Sequence, residues 1–132
     1  MYKEREITGK IIDIAMRVHK ELGAGFKESI YHNALAIALC EEGLTVESEK
    51  EQRVMFRSVL VGLFRMDLII EKKIVLELKS ITGIMPDVFQ AQTISYLKAS
   101  GLEIGLLINF GNSSLEVKRL AHYHDYKKSK SV

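Results

Sequence analysis

The first third of the chain carries apolar residues at helical spacing, which predicts two helices. Positions 7, 11, 14, 15, 18 and 22 lie on one helix face, and Gly23 follows where a C-terminal cap belongs. A second helix is predicted from about 28 to 42, before Gly43. The residues that it places at helical intervals are Ile30, Ala34, Ile37, Ala38 and Glu41.

The middle of the chain changes to short runs rich in Val, Ile, Leu and Phe, which are typical of strands. We predict strands roughly at 46–56, 61–70 and 74–80. Their connections are Arg57-Ser58 and Glu71-Lys72-Lys73. Consecutive strands with such short connections form an antiparallel meander.

The last part of the chain predicts a helix between strands. Pro86-Asp87 opens this helix, because proline suits the first helical turn, and it runs to about Ser100. Residues 104–110 form a nearly continuous apolar run, typical of a central strand covered on both faces. A last strand or helix is predicted near 115–121. The order of elements indicates an α/β or α+β arrangement, in a single domain over 1–132.

Composition excludes several classes of protein. With 47% hydrophobic residues, one Pro and nine Gly in 132 residues, the chain is neither disordered nor collagen-like. A single cysteine, Cys40, cannot form an intramolecular disulfide, and we predict that it is a small buried apolar residue. The charged N-terminus and the lack of a long apolar run predict a cytoplasmic protein with no membrane partner.

The net charge of +2 is unevenly distributed. Residues 118–132 contain five basic residues and one acid, a local balance of +4, so the other residues sum to −2. This predicts a basic C-terminal tail from about residue 122. The tail is either a solvated terminus or an arm that contacts phosphate.

Two acidic residues interrupt apolar strands at related positions. If the hairpin is centred on Lys72, residues whose numbers sum to 144 face each other, so Asp67 lies opposite Glu77, with Cβ atoms about 5 Å apart. Lys79 points the same way as Glu77. Two carboxylates at that distance repel, and folds that keep them use a divalent cation or a shared proton.

Two other arrangements of these charges remain open. The three side chains could form a cross-strand salt-bridge network on a solvated sheet face. A two-residue turn in the hairpin would instead put Asp67 and Glu77 on opposite faces of the sheet.

Two helices carry further polar candidates. Glu28 and Tyr31 are three residues apart and share a face, although Glu28 could simply favour the helix dipole at the N-terminus. Gln92 and Tyr96 share a face with Phe89. The alternative for this pair is a polar contact at the edge of the core.

These residues together carry a resemblance to a known family. Gly25, Glu28 and Tyr31 match the signature of the GxxExxY proteins, and Asp67 followed by Glu77-Leu78-Lys79 resembles the PD-(D/E)xK nuclease motif. The segment Gln92–Tyr96 resembles the QxxxY motif of the RecB-type branch. The similarity runs from about residue 7 to 120. It implies a restriction-endonuclease-like core, with a mixed sheet flanked by helices.

The resemblance also implies a metal site. Asp67 and Glu77 would be metal ligands, and the carbonyl of Leu78 would be a further ligand. Glu28 would match the helical acid that can complete such a site. Oxygen ligands without paired Cys or His favour Mg²⁺, or Mn²⁺, over Zn²⁺.

Catalytic roles follow from the same resemblance. Lys79 would orient or activate the attacking water, with Glu28 as an additional catalytic acid. Gln92 and Tyr96 would support the site or the substrate. The family commonly has a histidine where this chain has Phe89, which argues against a proton-transfer role on that helix and leaves the metal cluster whole.

The function predicted from the sequence is a metal-dependent nuclease that hydrolyses phosphodiester bonds in DNA or RNA. The alternative is a catalytically silent nuclease-fold module that binds nucleic acid or protein. A homodimer, in which apolar sheet faces or helices pair, is also left open.

Overall fold

The computed structural model describes residues 4–124, which form three helices and five strands. The helices are α1 (Arg5–Leu22), α2 (Glu28–Glu41) and α3 (Val88–Ser100), and the strands are β1 (Val46–Phe56), β2 (Val59–Ile70), β3 (Ile74–Lys79), β4 (Ile104–Asn109) and β5 (Glu116–Ala121). The segment near 115–121, predicted as strand or helix, is a strand. Most of the predicted basic tail, with Lys127, Lys128 and Lys130, lies outside the described residues. Over residues 4–124, no helix combines the length and apolar character needed to cross a membrane.

The five strands form one mixed sheet in the order β1-β2-β3-β4-β5. Neighbouring strands are antiparallel except β3 and β4, which are parallel. Parallel neighbours need a long crossover connection, and α3 supplies it between β3 and β4. The predicted α/β fold, a mixed sheet with an antiparallel meander flanked by helices, is confirmed.

The register of the β2–β3 hairpin is the one centred on Lys72. The paired residues are Leu68 with Leu76, Ile69 with Val75, and Ile70 with Ile74. Glu71 and Lys72 adopt left-handed conformations in the turn, with φ of 54° and 56°. The alternative register with a two-residue turn is therefore wrong.

Helices cover the sheet on both faces. α1 and α2 pack over a large apolar cluster that includes residues of β2, β3 and β4. On the opposite face, Leu97 of α3 packs in a smaller cluster with Met66, Ile69 and Val75. Every residue of β4 is buried, as the apolar run at 104–110 predicted.

The buried face of α2 differs from the one that the helical spacing suggested. Ile30 and Ile37 are exposed, whereas Tyr31, Leu35 and Leu39 are fully buried. The helix has apolar residues on almost every side, so spacing alone does not select which side packs on the sheet. Cys40, predicted to be buried, is exposed on the same helix.

Two asparagine side chains hold the loop that follows β3. Asn109 is fully buried; its amide oxygen accepts hydrogen bonds from Ile81 N and Gly111 N, both at 3.0 Å, and its Nδ2 donates to the Ile81 carbonyl at 3.0 Å. Asn112 pairs with the backbone N–H and carbonyl of Gly83 in the same two-bond manner, at 2.8 and 2.9 Å. The loop leaving the end of β3 is therefore fixed by side chains rather than by a strand ladder.

Gly111, just after β4, lies close against the backbone of the loop that follows β3. A Cβ atom at Gly111 would lie 2.1 Å from the Ile81 carbonyl oxygen. We predict that Gly111→Ala lowers the free energy of unfolding by about 2–3 kcal/mol or more, because backbone and not a flexible side chain must move. Urea denaturation measures this change.

The matched control is Gly9→Ala in α1, where an added Cβ meets nothing within 4 Å. This substitution should raise the free energy of unfolding by about 0.5–1 kcal/mol, since alanine is the better helix former. Equal effects of the two substitutions would contradict the close approach at Gly111.

Candidate functional site

Asp67 and Glu77 meet where β2 separates from β3. The ladder between these strands ends at the pair Leu68 and Leu76. Beyond it, the N–H of Asp67 donates to Oε1 of Glu77 at 3.3 Å, and the N–H of Leu78 donates to Oδ2 of Asp67 at 2.8 Å. Each carboxylate therefore accepts a hydrogen bond from a backbone N–H of the opposite strand, in place of the backbone carbonyl that would accept it in a regular β-ladder.

Glu77 is buried beside a second acid. It is 6% exposed, within a strand whose neighbouring residues are also buried. Burial, followed by the negative charge of Asp67, raises the pKa of Glu77 to about 8. Without a cation, Glu77 therefore holds its proton at neutral pH.

Lys79 contributes a cation without forming an ion pair with these acids. Of the ion pairs formed within residues 4–124, none joins Lys79 to Asp67 or Glu77. Its Nζ instead lies 4.2 Å from the centroid of the Phe89 ring. Burial of Glu77 and the lack of such an ion pair contradict a salt-bridge network on a solvated sheet face.

The Phe89 ring gives the Lys79 ammonium a fixed neighbour on one side. A cation at this distance over an aromatic face is attracted by the ring quadrupole, and the contact uses none of its N–H donors. Phe89 thus holds the lysine and leaves the ammonium donors available.

Glu28, in the first turn of α2, lies close enough to interact electrostatically with this group. Its pKa is raised by burial and then by the charge of Asp67, whereas Lys79 and His32 lower it. The position before it, Lys27, is the N-cap, and α2 has no side-chain cap hydrogen bond. Glu28 therefore makes no capping hydrogen bond, but its place in the first turn also suits the helix dipole.

The turn before α2 fixes the position of Glu28 at the start of that helix. Gly25 has a φ of 112°, a conformation that favours glycine. Tyr31 is fully buried, and its hydroxyl donates to the Gly23 carbonyl while accepting from the N–H of Phe26. The glycine and the tyrosine of this segment are therefore structural, and they place the intervening acid at the start of the helix.

The two polar residues of α3 differ in position. Burial raises the pKa of Tyr96, as do the negative charges of Glu77 and Asp67, so its hydroxyl lies within electrostatic range of both acids. The Tyr96 ring also stacks on Phe64, with centroids 4.2 Å apart. Gln92 is exposed. The structure thus associates Tyr96 with the acidic pair and leaves Gln92 at the surface.

A known family matches most of this chain. The family model described as the PD-(D/E)XK nuclease superfamily matches residues 5–120. This chain belongs to the PD-(D/E)XK nuclease superfamily. The search of curated proteins gave no match.

A solved structure resembles this PD-(D/E)XK nuclease domain in fold. The crystal structure of SSO0001 aligns with a TM-score of 0.57 and 22% sequence identity, over 76% of this chain and 52% of SSO0001. The chain therefore spans about half the length of that protein. At this identity the likeness concerns the fold alone.

Members of the PD-(D/E)XK superfamily usually use divalent metals, and the acidic pair fits such an ion. Among the described residues, only one oxygen of each carboxylate accepts a hydrogen bond, so the second oxygens of Asp67 and Glu77 have no such partner. Mg²⁺ is commonly held by one or two carboxylates, with water and substrate phosphate completing its shell.

Asp67 and Glu77 are not joined by a third His, Cys, Asp or Glu ligand among the described residues. Within residues 4–124, no three His, Cys, Asp or Glu side chains lie close enough together to share one metal ion. Glu28 is therefore near the pair electrostatically without joining it as a third ligand. Two hard carboxylates and no Cys or His partner favour Mg²⁺ or Mn²⁺ over Zn²⁺.

Proposed function

We propose that this PD-(D/E)XK protein is a Mg²⁺- or Mn²⁺-dependent nuclease that hydrolyses phosphodiester bonds in nucleic acid. The observation that carries the proposal is the pair of Asp67 and Glu77, clamped by backbone N–H groups at the end of a buried strand. Ionising Glu77 in this buried position beside Asp67 costs free energy, so a purely structural strand gains nothing from such a pair. A divalent ion would compensate it.

The proposed roles divide between binding the ion and handling the substrate. Asp67 and Glu77 would hold the metal, with the Leu78 carbonyl as a further candidate ligand, and Glu28 would add negative charge beside the ion without binding it. The bound ion would supply charge neutralisation at the phosphate and acidify a water molecule. Lys79 would orient that water and stabilise the negative charge that develops on the phosphate oxygens.

In the proposed reaction the water oxygen forms a bond to phosphorus, and the bond from phosphorus to the leaving oxygen breaks. The water loses one proton, and the leaving oxygen gains one. Tyr96 would position the substrate from α3, together with Gln92.

We also assign the chain to the GxxExxY group and to the branch with a QxxxY motif. The left-handed Gly25, the buried Tyr31 and the acid between them support the first assignment. The electrostatic link from Tyr96 to the acidic pair supports the second. The basic C-terminal segment would assist by contacting phosphate.

Cleavage of a plasmid and of labelled oligonucleotides, with Mg²⁺ or Mn²⁺, tests the function. The wild type should cleave, and Asp67→Ala should not. Asp13→Ala, which removes an exposed acid from α1, is the matched control and should cleave like the wild type. Equal cleavage by all three proteins would reject the proposed site.

Calorimetric titration with Mn²⁺ separates the enzyme from a silent module. The wild type should bind the ion, and both Asp67→Ala and Glu77→Ala should abolish binding. If the wild type binds nucleic acid but neither binds Mn²⁺ nor cleaves, the silent nucleic-acid-binding module is favoured.

The contact between Lys79 and Phe89 predicts a specific effect on turnover. Phe89→Leu should lower kcat about 3- to 30-fold with little change in KM, because a cation–π contact contributes about 0.5–2 kcal/mol. Phe89→Tyr keeps an aromatic face and should restore most of the rate. Steady-state kinetics on an oligonucleotide measures both parameters.

Val88→Leu is the control for this prediction, since Val88 is an exposed neighbour at the start of α3. Its kinetics should match those of the wild type. Equal kcat values for Phe89→Leu and Phe89→Tyr would show that the aromatic face does not hold Lys79 during turnover.

A further inference from the structure

A pocket lies beside the candidate site, between the turn before α2 and the loop that follows β3. Its volume is about 420 Å³, a size typical of pockets that hold a small organic group. The residues that line it are Gly25, Phe26, Ser80, Ile81, Thr82 and Gly111. All six lining residues are uncharged. The pocket therefore suits an uncharged group better than it suits a phosphate.

Both walls of this pocket are joined through the chain to the candidate site. On one wall, Ser80 directly follows Lys79, so their Cα atoms are about 3.8 Å apart. On the other wall, Phe26 lies two residues before Glu28, which is within electrostatic range of Asp67 and Lys79. A group in the pocket would therefore belong to the part of a bound substrate that adjoins the reacting atoms.

Phe26 is an exposed aromatic residue whose position is fixed. It is 44% exposed. Its N–H donates to the Tyr31 hydroxyl at 3.2 Å, and its carbonyl accepts a hydrogen bond from Oγ of Ser80 at 2.6 Å. Its ring meets the Tyr31 ring edge-to-face with centroids 6.2 Å apart, and Tyr31 stacks on buried Phe110 at 4.6 Å. An aromatic ring that is ordered before binding loses little conformational freedom when a ligand stacks on it.

The opposite wall of the pocket is fixed by side-chain hydrogen bonds. Asn109 binds the backbone of Ile81 and of Gly111, and Asn112 binds the backbone of Gly83. These bonds hold the loop after β3 against the segment after β4. The pocket is therefore formed before any ligand binds.

We propose that this pocket binds a nucleobase of the substrate strand, which stacks on Phe26 while the adjoining phosphate lies at Asp67 and Glu77. The proposal rests on the proposed function, since it takes nucleic acid as the substrate. A nucleobase is flat, aromatic and uncharged, and stacking on an aromatic side chain strengthens binding by about 5- to 150-fold per base. Lys27, the exposed cation that follows Phe26, would contact the phosphate backbone.

A base can enter this pocket when it is unpaired. In a duplex each base is stacked and paired, and it must be extruded before a protein ring can stack on it, which costs binding free energy. A single strand offers its bases without that cost. The substrate class that the pocket selects is therefore single-stranded nucleic acid.

Fluorescence anisotropy with labelled oligonucleotides of about 12 nucleotides tests the pocket, in EDTA, where metal-dependent cleavage does not proceed. The full chain should bind a single strand at least about fivefold more tightly than a duplex of the same sequence. Phe26→Leu keeps the apolar bulk and removes the ring, and it should raise the Kd for the single strand about 5- to 100-fold. Phe26→Tyr should restore most of the affinity.

Two controls separate base stacking from other effects. Tyr123→Leu removes an exposed aromatic ring that follows β5, at the opposite end of the sheet from Gly111, and should bind like the wild type. An abasic single strand of the same length keeps the phosphates and lacks the bases. Phe26→Leu should therefore bind this abasic strand as tightly as the wild type does.

Three results would overturn the base pocket. They are a wild type that does not bind the single strand, an equal Kd of wild type and Phe26→Leu for it, and an equal loss by Phe26→Leu on the abasic strand. A wild type that binds duplex as tightly as single strand would reject the substrate class.

The nuclease function fails or stands by a different readout. Cleavage with Mg²⁺ or Mn²⁺ but no effect of Phe26→Leu on binding would remove the base pocket and keep the nuclease. The expected effect of Phe26→Leu on binding, without cleavage by the wild type, would keep the pocket and remove the nuclease.

Discussion

Replacing Lys79 with methionine is expected to lower kcat for phosphodiester cleavage by at least about 10²–10³-fold, while Mn²⁺ affinity stays within a few-fold of the wild type. A positioned donor that meets developing charge contributes about that factor. The ammonium is not consumed by an ion pair with Asp67 or Glu77, and it rests against Phe89. Its donors are therefore available to water and phosphate.

Lys73→Met is the matched control for this prediction. Lys73 is an exposed lysine at the β2–β3 turn, and its ion pair with Glu4 is long, at 3.8 Å. Its replacement should leave kcat and Mn²⁺ affinity unchanged. If Lys79→Met loses metal binding together with cleavage, the lysine supports the ion site and not the attacking water.

The strand pattern predicted more of the fold than the helix pattern did. Charged residues interrupt β2 and β3 at positions that fix the register once the turn is placed at Lys72, because pairing must keep both apolar runs on the same faces. α2 offered no such constraint. With Tyr31, Leu35 and Leu39 on one side and Ile30 and Ile37 on another, two apolar faces competed, and packing against α1 and the sheet decided between them.

For the candidate site, too, some features could be predicted from the sequence and others could not. The opposition of Asp67 and Glu77 follows from register alone, so it could be predicted, and the structure places the two acids together. That each acid accepts a hydrogen bond from the other strand could not be predicted, because it depends on β2 separating from β3 after Leu68. Glu28 was predicted from a motif, and the structural roles of Gly25 and Tyr31 explain why an acid between them lies at the start of α2.

The supporting residues outside the motifs were missed for a definable reason. Asn109 lies inside the apolar run at 104–110, whose pattern predicts only a buried strand. A polar side chain in a fully buried run must have hydrogen-bond partners, and this requirement was the available signal. Its three hydrogen bonds fix the loop that follows Lys79, which no local sequence pattern records.

The exchange of Glu77 for glutamine should stabilise the metal-free protein at alkaline pH. The folded state holds the Glu77 pKa at about 8, against 4.5 for an ordinary glutamate, so the unfolded chain releases this proton at lower pH than the folded chain does. The stability of the wild type therefore falls as the pH rises from about 4.5 to 8. Glutamine is neutral and avoids this loss, which is on the order of 3–5 kcal/mol.

Urea denaturation in EDTA at pH 4.5, 6, 8 and 9 measures the effect. The advantage of Glu77→Gln should be absent at pH 4.5, grow up to about pH 8, and then stay constant. Glu71→Gln is a control of opposite sign, because hydrogen bonds from Thr45 lower the pKa of Glu71. That substitution should destabilise the protein at neutral pH, and the effect should fade in acid.

Saturating Mn²⁺ should make the wild type more stable than Glu77→Gln at neutral pH, which reverses the order expected in EDTA. An ion that binds the folded state stabilises it by RT ln(1 + [L]/Kd), and the wild type has both carboxylates to hold one. Glu77→Gln retains only Asp67 of the pair and should gain little. If Glu77→Gln is less stable than the wild type in EDTA at pH 9, the repulsion between Asp67 and Glu77 is contradicted. If Mn²⁺ stabilises Glu77→Gln as much as it stabilises the wild type, Glu77 is not a ligand of the ion. The same substitution thus separates the electrostatic cost of the acidic pair from its use in binding metal.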